Sequence, residues 1–359
     1  MKLGIIGLPY CGKTTLFDAL TSDYSPTGKI HIDGNTRIDT AVVKVPDQRL
    51  DWLSKHYQPK KVSHANITFQ DISGIHEEQK GLSKSLLHVL TQIDGFIHVV
   101  QCFNMSNEGI NEKINLLLDD FTINDIMTIE RKLENLSNEW TKGGGRNRSD
   151  IEYEQNLFNK MHDSLETKSI IDQNTLSIND QKLLSGYGFL TTKPMLIVLN
   201  CDEYTYEATN TINITNTRIN HNIISLMGKL EMEIAQLDKD DASVFMQEYG
   251  MTTSGLDQII QLSYDILELK SFFTVGQDEV KAWTIHANTI AQDAAGTIHS
   301  DMNSGFIRAE TMSFDDLQNL GSEGAVKSAG KLRLEGKEYV VQDGDILKIR
   351  FSPPKKNSY

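Results

Sequence analysis

Short apolar runs, separated by glycine-rich or polar breaks, pattern the first half of the chain. Leu3-Gly4-Ile5-Ile6 predicts a buried strand. A glycine-rich turn follows, and Thr14-Thr15-Leu16-Phe17-Asp18-Ala19-Leu20 predicts the start of a helix. Residues 40–45, 64–71, 95–100 and 195–199 read as further strands, with helical stretches between several of them. Apolar strands alternating with helices predict an α/β sheet covered on both faces.

From 110 to 190 the pattern changes. Residues 116–138 are charged, helical in period and free of Gly and Pro. Lys142-Gly143-Gly144-Gly145-Arg146-Asn147-Arg148 interrupts this, and residues 150–167 resume it. Two long helices about a glycine tip predict an antiparallel hairpin inserted between strands of the sheet. Such an arm suits contact with a partner. From residue 272 a third pattern begins. Val280-Lys281-Ala282-Trp283-Thr284-Ile285, Tyr339-Val340-Val341 and residues 346–351 predict strands, and Asp343-Gly344 predicts a turn. This is a small α+β module, followed by a frayed tail over 353–359.

Composition narrows the class. With 39% hydrophobic and 23% charged residues, the chain reads as soluble and globular rather than disordered. No apolar stretch approaches the run of about 20 residues that a membrane span needs, and the N-terminal apolar run is too short for a signal peptide. Cys11, Cys102 and Cys201 lie far apart without metal-like spacing, which suits reduced thiols in a cytoplasmic protein. A net charge of -14 argues against broad binding to nucleic acid, DNA included. A local basic patch remains open at Lys327, Lys331, Arg333, Lys337, Lys348, Arg350, Lys355 and Lys356.

The chemistry concentrates at one motif. Gly7-Leu8-Pro9-Tyr10-Cys11-Gly12-Lys13-Thr14 matches G-x-x-x-x-G-K-[ST] and sits between an apolar strand and a helix start. Successive backbone N–H groups, from Tyr10 through Cys11 and Gly12 to Thr15, surround the phosphates, with Pro9 shaping the same loop, and Gly12 lets the backbone come close. The Lys13 ammonium reaches the β- and γ-oxygens, and the Thr14 hydroxyl binds Mg²⁺. Asp71-Ile72-Ser73-Gly74 matches D-x-x-G at a strand end. Asp71 there holds Mg²⁺ through water, and the Gly74 N–H senses a γ-phosphate. Asn200-Cys201-Asp202-Glu203 stands where GTPases carry N-K-x-D. Glu203 is one methylene longer than the guanine-clamping Asp, and Cys201 replaces Lys, so adenine becomes a plausible base. Ile75 follows D-x-x-G, where Ras-like GTPases place a water-orienting Gln.

The chain resembles the YchF/Obg-like ATPases, P-loop proteins with an inserted coiled-coil arm and a C-terminal TGS domain. The resemblance runs over nearly the whole length and is strongest in Ser271-Phe272-Phe273-Thr274-Val275-Gly276, Ala294-Ala295-Gly296-Thr297-Ile298-His299-Ser300-Asp301 and Gly305-Phe306-Ile307-Arg308-Ala309-Glu310. Val45-Pro46-Asp47-Gln48-Arg49-Leu50 also matches. It implies an α/β doubly wound P-loop sheet in two parts, 1–109 and 191–271, an arm over 110–190 and a ubiquitin-like β-grasp TGS domain over 272–356. It further implies ATP preference, Mg²⁺ as cofactor and association with ribosomes.

Departures from the family cluster in the catalytic half. Tyr10-Cys11 replace Asn-Val in the P-loop. Only Asn35-Thr36-Arg37-Ile38-Asp39 stands for switch I, which makes Thr36 the candidate for a second Mg²⁺-linked hydroxyl. Met227-Gly228-Lys229 takes the place of the third base-contacting loop, so Met227 and Gly228 join the nucleotide set. The family's catalytic His is missing from Asn104-Met105-Ser106-Asn107-Glu108-Gly109, and His76 is its candidate substitute. The leading expectation is a slow ATPase acting as a switch. A nucleotide sensor with negligible turnover and a GTPase are the alternatives.

Overall fold

The computed structural model describes residues 1–22, 28–31, 36–75, 81–143, 145–168, 170–171, 175–207, 222–249, 251 and 253–352. The chain divides into two compact units, residues 1–42 with 68–259 and residues 43–67 with 260–359.

The first unit is built on a seven-stranded sheet. From edge to edge its strands are Gly28–His31, Arg37–Lys44, Asn66–Ile72, Lys2–Ile6, Gly95–Gln101, Met195–Asn200 and Ile223–Leu226. The first two form an antiparallel hairpin, and the four strands from Lys2–Ile6 onward run parallel. Their side chains are buried on both faces, as a helix-covered parallel sheet requires, with Ile5, Ile97, Leu196 and Val198 fully enclosed. Lys2–Ile6 lies in the middle, with Ile5 beside Asp71 and Ile6 beside His98. A loop leaving its C-terminal end therefore emerges where the connections diverge to both sides of the sheet, the usual ligand position in open α/β folds.

The arm is present as a hairpin of helices Asn107–Lys142 and Arg148–Lys168. Its first helix starts earlier than the charge pattern suggests, because the Ser106 hydroxyl accepts from the Gly109 N–H as a cap. Its far end stops at Gly143 in the left-handed conformation. The near half packs on the sheet through Leu117 and Phe121, the latter against Phe96. The far half has its own core of Ile129, Leu136, Phe158, Met161 and Leu165. Asp125 joins the arm to the chain entering the next strand. Its buried carboxylate accepts from the Leu190 N–H at 3.1 Å, the Thr191 N–H at 2.8 Å and the Thr191 hydroxyl at 2.7 Å. Burial pushes its pKa up, and these three donors oppose that shift.

The second unit is a six-stranded sheet ordered Arg333–Glu335, Phe306–Ser313, Asp345–Phe351, Leu269–Thr274, Glu279–His286 and Lys61–Ser63. A hairpin, a helix (Ala291–Ile298) packed on Phe272, Ile285, Phe306 and Leu347, and a central parallel pair give the expected β-grasp arrangement. Two sequence expectations differ here. Tyr339-Val340-Val341 forms no strand but a single bridge between Val340 and Ile290. Residues 43–67, contiguous in sequence with the P-loop half, pack in this unit instead. Their helix Gln48–Tyr57, capped by Asp47, places Arg49 against Asp343 at 2.6 Å and over the Phe273 ring. Asp343 also accepts from the Ser271 N–H, so the turn read from Asp343-Gly344 is anchored on both sides. Among the described residues no helix is long and apolar enough to cross a membrane.

Replacing Asp125 with Ala strands two backbone N–H groups beside the arm. The expected cost is about 1–3 kcal/mol for each buried group left unpaired, read as a lower thermal midpoint. An unchanged midpoint would show that the arm's attachment does not depend on this carboxylate.

Candidate functional site

The loop between Lys2–Ile6 and helix Lys13–Leu20 carries the densest set of special backbone angles among the described residues. Gly7, Tyr10 and Gly12 all have positive φ, at 150°, 64° and 100°. Gly12 has no substitute: a Cβ there would lie 2.2 Å from the Asn200 Nδ2, on a backbone that L-residues rarely adopt. Tyr10 accepts the left-handed conformation and leaves its ring 94% exposed.

Lys13 begins the helix and folds back over the loop. Its ammonium donates to the Gly7 and Leu8 carbonyls, each at 2.8 Å. These bonds hold a positive charge against the loop whose N–H groups would receive phosphates, a ready anion site. The Cys11 thiol lies 4.0 Å from that ammonium and is buried; desolvation pushes its pKa up and Lys13 opposes this. Pro9 and Thr15 are half-buried on either side.

Thr14, in the first turn of helix Lys13–Leu20, and Asp71, on the strand paired with Lys2–Ile6, meet directly. The Thr14 hydroxyl donates to Asp71 Oδ2 at 2.8 Å. Asp71 Oδ1 is buried and has no partner among the described residues, and burial pushes this carboxyl's pKa up. A buried carboxylate oxygen without a donor, beside a hydroxyl and near a lysine, is a costly arrangement in the free protein. It is also a hard-oxygen donor set of the kind Mg²⁺ takes. The residues present fit that ion.

The D-x-x-G loop is zipped to the segment around Thr36. The Arg37 N–H donates to the Ser73 hydroxyl at 3.0 Å, and the Ser73 N–H returns a bond to the Arg37 carbonyl. Thr36 is thereby held on the same edge of the sheet, 1% exposed. Gly74 follows with φ 111°, and Ile75 turns into the core with Ile6, Ile72 and Phe96. His76 lies outside the described residues.

Asn200 ends the strand Met195–Asn200 and uses both halves of its amide. Nδ2 donates to the Cys11 carbonyl at 2.9 Å, and Oδ1 accepts from the Gly228 N–H at 3.1 Å. A Cβ on Gly228 would stand 2.8 Å from that oxygen. Asn200 thus links the phosphate loop to the Met227-Gly228 turn. In this arrangement the purine edge is not its partner. Cys201 turns its thiol into the core cluster with Cys102, Ile110 and Ile114 and so presents no side chain to a base. Glu203 is exposed at the start of helix Glu203–Glu207, while Asp202 caps that helix through Thr205, which lowers the Asp202 pKa.

One residue of the site has no motif to announce it. His98, on Gly95–Gln101 beside Ile6, is wholly enclosed, and burial and Lys13 push its pKa down to about 3. Its Nδ1 has no partner among the described residues. A neutral ring beside the phosphate loop avoids a second positive charge there. Only the strand register, Ile6 opposite His98, reveals it.

Comparison with known proteins places this geometry in context. The family model described as the 50S ribosome-binding GTPase matches residues 2–133, and the YchF GTPase C-terminal model matches 269–352. The chain is similar to the ribosome-binding ATPase YchF of Bacillus subtilis, 36% identical over 98% of this chain and 99% of that protein. It is 33% identical to the Obg-like ATPase 1 of Oryza sativa over 98% and 92% of the two chains. Among solved structures, the YchF GTPase of Schizosaccharomyces pombe matches with a TM-score of 0.82 and 26% identity over 98% of this chain and 97% of that one.

Replacing Asn200 with Asp puts an oxygen against the Cys11 carbonyl while keeping the bond from Gly228. Nucleotide affinity is expected to fall about 10- to 100-fold, the loss of about 1.4–2.7 kcal/mol, and the thermal midpoint to fall with it, because a buried carboxylate oxygen then faces a carbonyl oxygen. Calorimetric titration of both proteins checks this, and equal affinities would overturn the bridging role.

Proposed function

The chain belongs to the YchF/Obg-like ATPase family, and from that premise we propose that it is a Mg²⁺-dependent ATPase whose nucleotide state is read at the ribosome. One observation carries the reading: Lys13, Thr14 and Asp71 converge at the end of the central strand with an ammonium, a hydroxyl and a carboxylate in phosphate-binding order. On nucleotide binding the Lys13 ammonium would exchange the Gly7 and Leu8 carbonyls for phosphate oxygens. Thr14 and Asp71 would hold the metal, which neutralises charge on the β- and γ-oxygens. The loop N–H groups fix the phosphates in line, so the protein contributes positioning and charge stabilisation rather than covalent chemistry.

Switching follows from the pairing of Arg37 with Ser73. A γ-phosphate held by the Gly74 N–H would order the D-x-x-G loop, and the two reciprocal bonds would carry that order to Thr36. ATP preference is supported at the base loop. Cys201 offers no stem to lie over a base, and Glu203 stands alone and exposed where guanine needs a paired carboxylate. Slow turnover is supported by Ile75, which is packed in the core where a water-orienting Gln would stand. The same observation favours the second reading, a nucleotide sensor with negligible hydrolysis.

Four measurements test this. Competition for one site is expected to show ATP binding at least as well as GTP; a tenfold GTP preference, about 1.4 kcal/mol, overturns it. Lys13→Ala removes a charge-assisted contact worth about 1.5–3 kcal/mol per bond and is expected to abolish or severely weaken binding of either nucleotide. Single-turnover hydrolysis with ATP and Mg²⁺ is expected to be slow without ribosomes. A loss of about 100-fold in His76→Ala would make that residue the base, and an unchanged rate removes it from the role.

A further inference from the structure

Two cations at the arm's tip are engaged within the arm itself. Arg146 is paired with Glu154 and Glu139, and the Arg148 guanidinium lies over the Trp140 ring. The arm carries a different and more extended feature along the outside of its first helix. Helix Asn107–Lys142 buries Ile110, Ile114, Leu117, Phe121, Ile129 and Leu136 on one face. On the opposite face Leu116, Ile123 and Met127 are 41%, 55% and 53% exposed. Their spacing of seven and then four residues returns to the same side of a helix. They make a stripe about 16 Å long at 1.5 Å per residue.

Carboxylates predominate beside this stripe. Glu112, Asp119, Glu130 and Glu134 are exposed on the same side, against two cations there, the exposed Arg131 and the half-buried Lys113, and Asp120 among them has its pKa pushed up by burial and by Asp119. An apolar helix stripe of this length inside an acidic margin is the complement of a basic amphipathic helix. Phosphate-rich surfaces suit it less: RNA and anionic membranes would meet an excess of like charge beside it. A second copy of the chain would bring the same acidic margin and be repelled in turn.

We propose that the outer face of the arm's first helix docks a basic amphipathic segment of a ribosomal protein through Leu116, Ile123 and Met127. This rests on the ribosome reading above and specifies its chemistry: the arm engages protein, with apolar contact at the centre and charge pairing at the rim. The contact lies on the solvent side of the helix, opposite the arm's core, and involves none of the residues that build the nucleotide loop. Nucleotide binding is therefore independent of these side chains.

The test uses the full chain and purified ribosomes. A benzophenone amino acid replaces Ile123, and the protein is irradiated on ribosomes with a non-hydrolysable ATP analogue. The expected adduct resists ribonuclease, is lost to protease and maps to a Lys/Arg-rich helical segment of one ribosomal protein. In parallel, the pair Ile123→Ser with Met127→Ser, and separately Asp120→Lys with Glu130→Lys, are each expected to cut co-sedimentation about tenfold with nucleotide affinity unchanged. A ribonuclease-sensitive adduct, a dimer of the chain, or unaltered co-sedimentation of both double variants overturns the proposal. So does the absence of any adduct while the native chain still co-sediments, and that result leaves the ribosome reading standing. Failure of the native chain to co-sediment removes both.

Discussion

The phosphate loop holds its shape because Asn200 grips it from outside. One amide, set at the end of a strand two places across the sheet, donates to the Cys11 carbonyl and accepts from the Gly228 N–H. Without a side chain of that length and polarity, the carbonyl of a loop with three positive-φ residues would have to find water or stay unpaired. Gly12 and Gly228 are the two places where any Cβ would collide with this amide. The backbone angles of the loop, the absence of side chains at those glycines and the position of Asn200 are thus one constraint seen from three sides.

Around this constraint the charges are placed sparingly. Lys13 is the cation of the loop, and its ammonium is already bound to carbonyls that would otherwise face one another. His98, close by, is kept neutral by burial. Asp71 supplies the nearby negative charge, with one oxygen bonded and one waiting. A site that is poor in spare donors but holds a bare carboxylate oxygen gains most when a divalent cation and a polyphosphate arrive together. That is the physical reason a nucleotide with its metal is the fitting ligand rather than a simple anion.

Where Ras-like GTPases carry a Gln after D-x-x-G, this chain carries an apolar residue. Ile75 enters the hydrophobic core with Ile6 and Ile72. The core thereby gains an anchor for the switch segment, at the expense of a polar group beside the γ-phosphate. The phosphate-binding groups and the residue after D-x-x-G are thus held by different parts of the fold. Binding depends on backbone and strand-end residues fixed by the sheet, whereas activation depends on a loop residue that can be exchanged without disturbing the fold.

The sequence by itself determined what nearest neighbours determine. A glycine pattern between an apolar strand and a helix start specifies a phosphate loop. The strand-end D-x-x-G specifies a carboxylate followed by a turn, and two charged helical stretches about Gly143 specify an arm. These are local backbone preferences, complete within a few residues. The tertiary structure decided what depends on register and long-range burial. Strand pairing alone puts His98 beside Ile6. It also turns the Cys201 thiol inward and gives both ends of Asn200 to the protein. Residues 43–67 show the limit most plainly. Their sequence runs on from the first unit, yet Arg49 meets Asp343 across 294 positions and lies over Phe273. No short-range pattern encodes such a pair: its energy comes from a charge, a turn and an aromatic face that only the folded sheet brings within reach.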